Sequence, residues 1–288
     1  RAIVSKGPSR FSSIGRPIDR RYPTNQAIAG LALAVAILGF TMRRLTGPHP
    51  LESFTGALVL AIGFFLAWAI ARELDPDHDA SAFVAAALSL IPQTVLGRPD
   101  LAGVLLILLL LRIVNRTVGP AAQPLDTIGI LALVGVAVWR GQPVLALAAV
   151  GAFVLDAILD PAHRIHLAGA GASIGLLGVG LSRFAGTAPV PLTLLTGLAL
   201  ALMVPFLFLI AASGSTRTFS DTGGNLLRGS RVRAAQWLAL AAMAGSILVG
   251  GQAGLASLSP LWAALVGVGA YFSIGAPTRL PHSVQDPS

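Results

Sequence analysis

Apolar stretches close to the length of a bilayer crossing recur from one end of this chain to the other, and nothing else in it constrains the fold as strongly. A hydrocarbon core is crossed by ~20 apolar helical residues. Ten stretches approach that length, at 26–42, 54–71, 80–96, 101–114, 126–139, 143–158, 167–182, 191–212, 235–250 and 259–275. They are continuous rather than alternating, which predicts helices and not a barrel, because helices satisfy their own backbone hydrogen bonds in lipid. Composition agrees: 55% hydrophobic residues, 11% charged residues and a mean hydropathy of +0.78 exceed what a soluble domain of 288 residues buries. The expectation is an all-α polytopic membrane protein of about ten transmembrane helices. The third, fourth and sixth stretches are short, and an 80–114 hairpin that does not cross fully is the main alternative. Zero cysteines remove disulfides, thiolate metal sites and iron–sulfur clusters.

Charge gives the direction. Residues 1–25 form a basic arm with Arg1, Lys6, Arg10, Arg16, Arg20 and Arg21, and they lack the apolar core of a signal peptide. With that arm inside, 15 of the 20 Lys and Arg residues fall on the cytoplasmic side and 5 on the other, as the positive-inside rule requires. The expected organisation is a cytoplasmic arm (1–25), one transmembrane domain (26–275) and a cytoplasmic tail (276–288), in a bacterial-type inner membrane. The formal charge of +8 is then topology, and no nucleic-acid partner is expected.

Leu-Asp-Pro-x-His ends two apolar stretches, as "RELDPDHDA" (72–80) and "ILDPAHRIH" (158–166). Two fainter echoes accompany it: "AAQPL" (121–125) with "AAQWL" (234–238), and "FSSIGRPIDR" (11–20) with "FSDTGGNLLR" (219–228). Together they point to a same-direction duplication of four-helix units, 26–114 repeated as 126–212, with 235–275 beginning a third copy. Both acidic clusters then lie on the cytoplasmic face. The first crowds Glu73, Asp75, Asp77, His78 and Asp79 into seven residues; the second sets Asp156 and Asp160 at i, i+4, with His163 and His166 beyond. Repelling carboxylates suit a hard divalent cation such as Mg²⁺ that bridges to phosphates. They suit equally an Asp-Pro helix end and an acidic first turn, with Asp79 as an N-cap.

Those residues resemble, in layout, the UbiA-type intramembrane prenyltransferases. That family has same-direction four-helix units and Asp-rich motifs at the cytoplasmic ends of its second and sixth helices. The similarity lies in "ELDPDHD" (73–79) and "DAILD" (156–160); the spacing of Asp75, Asp77 and Asp79 differs from the family's N-D-x-x-D-x-x-x-D, and no Asn precedes them. The resemblance implies a Mg²⁺ site at Asp75, Asp77, Asp79, Asp156 and Asp160 for an isoprenoid or other lipid diphosphate. The basic 213–234 segment, through Arg217, Arg228, Arg231 and Arg233 around Gly223 and Gly224, would neutralise the phosphates.

Two other classes stay open. A transporter keeps ionisable groups near the bilayer midplane, whereas mid-span polarity here is limited to groups such as Gln93, Thr94, Ser173, Thr196 and Ser246; a neutral or lipidic substrate survives that test. A non-catalytic subunit of a membrane complex would use close helix contacts, for which "GAGASIGLLGVG" (169–180), with Gly171 and Gly175, and "GVGAYFSIG" (267–275) are suited. All five histidines fall outside the apolar stretches, so no haem is expected.

Overall fold

The computed structural model of this chain describes residues 14–15, 22–118, 121–160, 165–184, 190–214, 216–220 and 226–275. Most of the basic arm, His163, Arg164, Asp221, Gly223, Gly224 and the tail from 276 lie outside the described residues. Among the described residues the regular secondary structure is helix, with one isolated bridge, Phe219 to Leu226, besides. In chain order the helices are α1 (Pro23–Leu45), α2 (Pro50–Leu74), α3 (Asp79–Val95), α4 (Leu101–Asn115), α5 (Pro124–Trp139), α6 (Pro143–Leu159), α7 (Ile165–Phe184), α8 (Leu194–Ala201), α9 (Val204–Ala212), α10 (Gly229–Ser257) and α11 (Ser259–Gly275).

Local chemistry sets the ends. Proline opens α1, α2, α5 and α6, where its missing N–H costs nothing. Asp-Pro closes α2 and α6: Asp75 and Asp160 are the C-caps, each still donating its N–H one turn back, to Ala71 O and Asp156 O, before the proline forbids a further turn. The stretch at 191–212 is expected as one span. It does run as one segment of spanning length, Leu194–Ala212, but broken into two helices at 202–203, because Pro205 cannot donate to a preceding carbonyl and the chain tightens to Met203 N–H on Leu200 O. Thr196, expected in mid-span, instead caps α8 with Thr193. Asp79 begins α3 but is not its N-cap, which is His78; the Asp79 carboxylate pairs with Arg72. Toward its end α10 breaks at Gly251, whose φ of 56° and ψ of −132° suit glycine alone.

Five segments are long and apolar enough to cross a membrane: Pro23–Leu45, Pro50–Leu74, Ile165–Arg183, Leu194–Ala212 and Gly229–Ser257. The other apolar helices, α3, α4, α5, α6 and α11, have 15 to 17 residues, or about 22–26 Å of helix against a core of about 30 Å. The short helices make up much of the interior. α4 is enclosed by α2, α5, α6, α10 and α11, and Leu106, Ile107, Leu110 and Leu111 along it are sealed from solvent. α1 turns most of its apolar surface outward: it packs on α2 and buries only Ile28. Gly267 lets α11 press onto α3, since a Cβ there would stand 2.7 Å from the Ala85 Cα. Gly171 and Gly175 of α7 serve no such internal contact; an added Cβ at either meets nothing within 4 Å.

Candidate functional site

The ends of α2, α4 and α6 and the start of α10 meet at one end of the bundle, and the charged side chains there are matched pair by pair. Two arginines at i, i+4 leave the end of α4. Arg112 Nε donates to Glu73 of α2 at 3.0 Å, while its Nη1 reaches Ile14 O at 3.2 Å. Arg116 grips α6: Nε and Nη2 donate to the two oxygens of Asp156 at 3.1 and 3.0 Å, and Nη1 donates to Asp160 at 2.5 Å. Arg231 of α10 completes the set, with Nη1 2.6 Å from Asp156 Oδ1 and 2.9 Å from Val114 O. His166 Nδ1 lies 2.5 Å from Asp156 Oδ2.

Asp156 and His166 are wholly buried and Glu73 is 1% exposed, so this is an interior network. Three carboxylates (Glu73, Asp156, Asp160) face three guanidinium groups (Arg112, Arg116, Arg231). Burial alone would lower the pKa of Arg116; hydrogen bonds and charge from Asp156 and Asp160 outweigh it and hold the group above its ordinary value. Arg116 is also the one non-glycine residue at positive φ among the described residues, at 55°. Its three bonds to α6 hold a left-handed backbone that costs an L-residue of order 1 kcal/mol. Neighbours close the rest: Thr117 Oγ1 donates to Glu73 Oε2 at 2.7 Å and Asn115 Nδ2 to Glu73 O at 2.7 Å.

The five carboxylates expected to share a metal are thus divided. Asp156 and Asp160 come together, on Arg116. Asp75 pairs with His78 at 2.8 Å, and Asp79 with Arg72. Asp77 accepts the N–H groups of Arg217 and Thr218, both at 3.0 Å, and the Thr218 hydroxyl at 2.7 Å. No group of three or more His, Asp or Glu side chains is placed to hold a metal ion among the described residues. Most of the oxygens such an ion would take are engaged by arginine, histidine and backbone N–H groups, and the five carboxylates do not converge on one point. Of the four expected phosphate-binding arginines, Arg231 is buried in the network, while Arg217, Arg228 and Arg233 are exposed around the start of α10.

Arg112 and Arg116 were expected only as part of the cytoplasmic charge excess. The signal available was their place at the expected cytoplasmic end of an apolar stretch, level with the acidic ends of two others; the pairing itself is not one turn to one turn, since Arg112 takes Glu73 and Arg116 takes both Asp156 and Asp160. Three of the polar groups expected in mid-span bond within their own helices: Thr94 to Leu90 O, Ser173 to Gly169 O, and Gln93 Nε2 to Ser89 O.

The fold and its charged end define an all-helical protein of the membrane type. Comparison with protein-family models, curated proteins and solved structures finds no match for the chain.

Proposed function

We propose that this chain is a non-catalytic integral-membrane subunit of a larger complex, anchored by an arginine–carboxylate clasp and presenting α7 to a partner helix. The observation that carries this reading is the pairing of Glu73, Asp156 and Asp160 with Arg112, Arg116 and Arg231, which ties α2, α4, α6 and α10 together and commits the groups that a catalyst would need free. The partner surface is the outer face of α7. There Gly171, Gly175 and Gly178 leave open space for a second backbone to approach, and Ile174, Val179 and Leu181 are more than half exposed around them.

In this reading all ten apolar passes cross a bacterial-type plasma membrane, with the clasp and both termini on the cytoplasmic side, and the short helices are held by their neighbours and not by lipid. Two four-helix units are supported by matched ends: α1 and α5 both open on proline, as do α2 and α6, and the Asp75 and Asp160 caps share a conformation (φ −135° and −147°, ψ 77° and 88°). A Mg²⁺-dependent lipid-diphosphate site ranks second, resting on the layout of the two acidic motifs. Transport of a neutral or lipidic substrate ranks third, because Gln93, Thr94 and Ser173 make bonds within their own helices.

The chain has no cysteine, so a single introduced thiol reports cleanly. Gly171→Cys and Gly175→Cys are expected to crosslink in native membranes to one discrete product, whereas Leu147→Cys on the exposed face of α6 is not. Equal crosslinking at all three positions, or none at any, would refute α7 as the partner surface.

A further inference from the structure

Beside the clasp, where α2 ends, lies a recess that the arginines do not reach. Its lining includes Asp75 and His78 after α2, Leu209 and Ser213 at the end of α9, Gln236 in the third turn of α10, and Phe272 of α11. Two buried oxygens of this lining have no partner in the protein: Oδ2 of Asp75, a residue 5% exposed, and Oε1 of Gln236, 1% exposed.

The network around them fixes what they are. Gln236 Nε2 donates to Leu74 O at 2.8 Å and to Ser213 Oγ at 2.9 Å, so the unpartnered end of the amide is its carbonyl. Asp75 Oδ1 is engaged by His78, which leaves Oδ2. The Ser213 hydroxyl spends its proton on Leu209 O, and that of Thr216, also in the lining, on Leu227 O. The recess thus offers acceptors: a carboxylate oxygen, an amide oxygen and hydroxyl lone pairs. An anion would be repelled, and an apolar group would leave two buried acceptors unmatched.

Charge narrows the ligand. Asp77, also in the lining, is occupied by the N–H groups of Arg217 and Thr218, so Asp75 supplies the single carboxylate oxygen still open. Mg²⁺ demands near-ideal octahedral geometry, and Ca²⁺ takes six to eight oxygens, often with several carboxylates. One carboxylate with neutral oxygens suits a single positive charge. Leu74, whose carbonyl holds Gln236, directly precedes Asp75, so the two acceptors belong to one compact locus.

We propose that this recess binds a compact monovalent cation, as sodium or as an ammonium group, between Asp75 and Gln236. Bound there, the ion ties the end of α2 to α9 and α10. This goes beyond the subunit reading and does not depend on it.

The test is the thermal midpoint of the purified full chain at constant ionic strength, with choline chloride replaced stepwise by sodium or methylammonium chloride. A saturable rise of roughly 3–6 °C at ten times the dissociation constant is expected. It disappears in Asp75→Asn and persists in Asp79→Asn, whose carboxylate pairs with Arg72 outside the recess. A response to sodium alone assigns a metal ion, and a response to methylammonium alone assigns an ammonium group; either upholds the site. No response to either cation, or an equal response in Asp75→Asn, overturns it. Should Asp75→Asn fail to fold, calorimetric titration of the wild-type chain with each cation decides, and no saturable heat from either overturns the site.

Discussion

Replacing Asp156 by asparagine keeps the side-chain volume and removes the charge on which two arginines converge. In the native chain its oxygens accept from Arg116 at 3.0 and 3.1 Å and from Arg231 at 2.6 Å, with His166 alongside, all away from solvent. In Asp156→Asn, Arg116 keeps only Asp160 among its acids, and Arg231 keeps Val114 O. Two like charges then face each other in the interior. Removing one partner of a buried ion pair costs about 3–5 kcal/mol, against a total stability of about 5–15 kcal/mol. At about 2–4 °C per kcal/mol the midpoint falls by about 6–20 °C. The internal control is Asp160→Asn. Its side chain is 27% exposed and pairs with Arg116 at the edge of the network, so less than about 1 kcal/mol is expected. Unfolding in detergent, followed by tryptophan fluorescence, measures both. Equal small shifts in the two variants would refute the argument that Asp156 is the centre of the clasp. Replacing Asp156, Arg116 and Arg231 together with leucine, leucine and methionine is expected to cost less than Asp156→Asn alone, because the charge that loses its arginine, Asp160, is 27% exposed to solvent and not buried.

Three further changes test the packing. Gly267→Leu forces α11 away from the Ala85 backbone and is expected to cost at least about 1–3 kcal/mol, read as a lower thermal midpoint. Gly251→Ala places a side chain at a φ of 56° against Val190 and is expected to lower stability by about 1–3 kcal/mol in the same assay. Asp126→Ala removes the carboxylate that accepts the Gln123 N–H at the start of α5, at 2.9 Å; a loss of about 1 kcal/mol is expected in denaturant titrations.

The helical membrane class was legible from uninterrupted apolar stretches, and the ends of α2 and α6 and the starts of α1, α2, α5 and α6 follow the prolines and the Asp-Pro pairs. The break at 202–203 was half legible: Pro205 was visible, but a proline can either kink a helix or open a new one, and only the local hydrogen bonds decide. The acidic clusters were legible as clusters; their partners were not. Arg112 and Arg116 lie about 40 residues from the acids they hold, and a positive-inside count assigns every loop arginine to topology before asking which carboxylate it can reach. Asp75, Asp77 and Asp79 look alike in sequence because neighbours on a turn share composition and not direction. One faces His78, one the 217–218 backbone and one Arg72.

The most direct measurement is calorimetric titration of the purified chain with a farnesyl diphosphate analogue, with and without Mg²⁺. A clasp already closed by arginine predicts no saturable magnesium-dependent binding. Metal-dependent binding that is lost in a variant carrying Asp75→Asn, Asp77→Asn and Asp160→Asn would contradict it, and would make the two acidic motifs a diphosphate site.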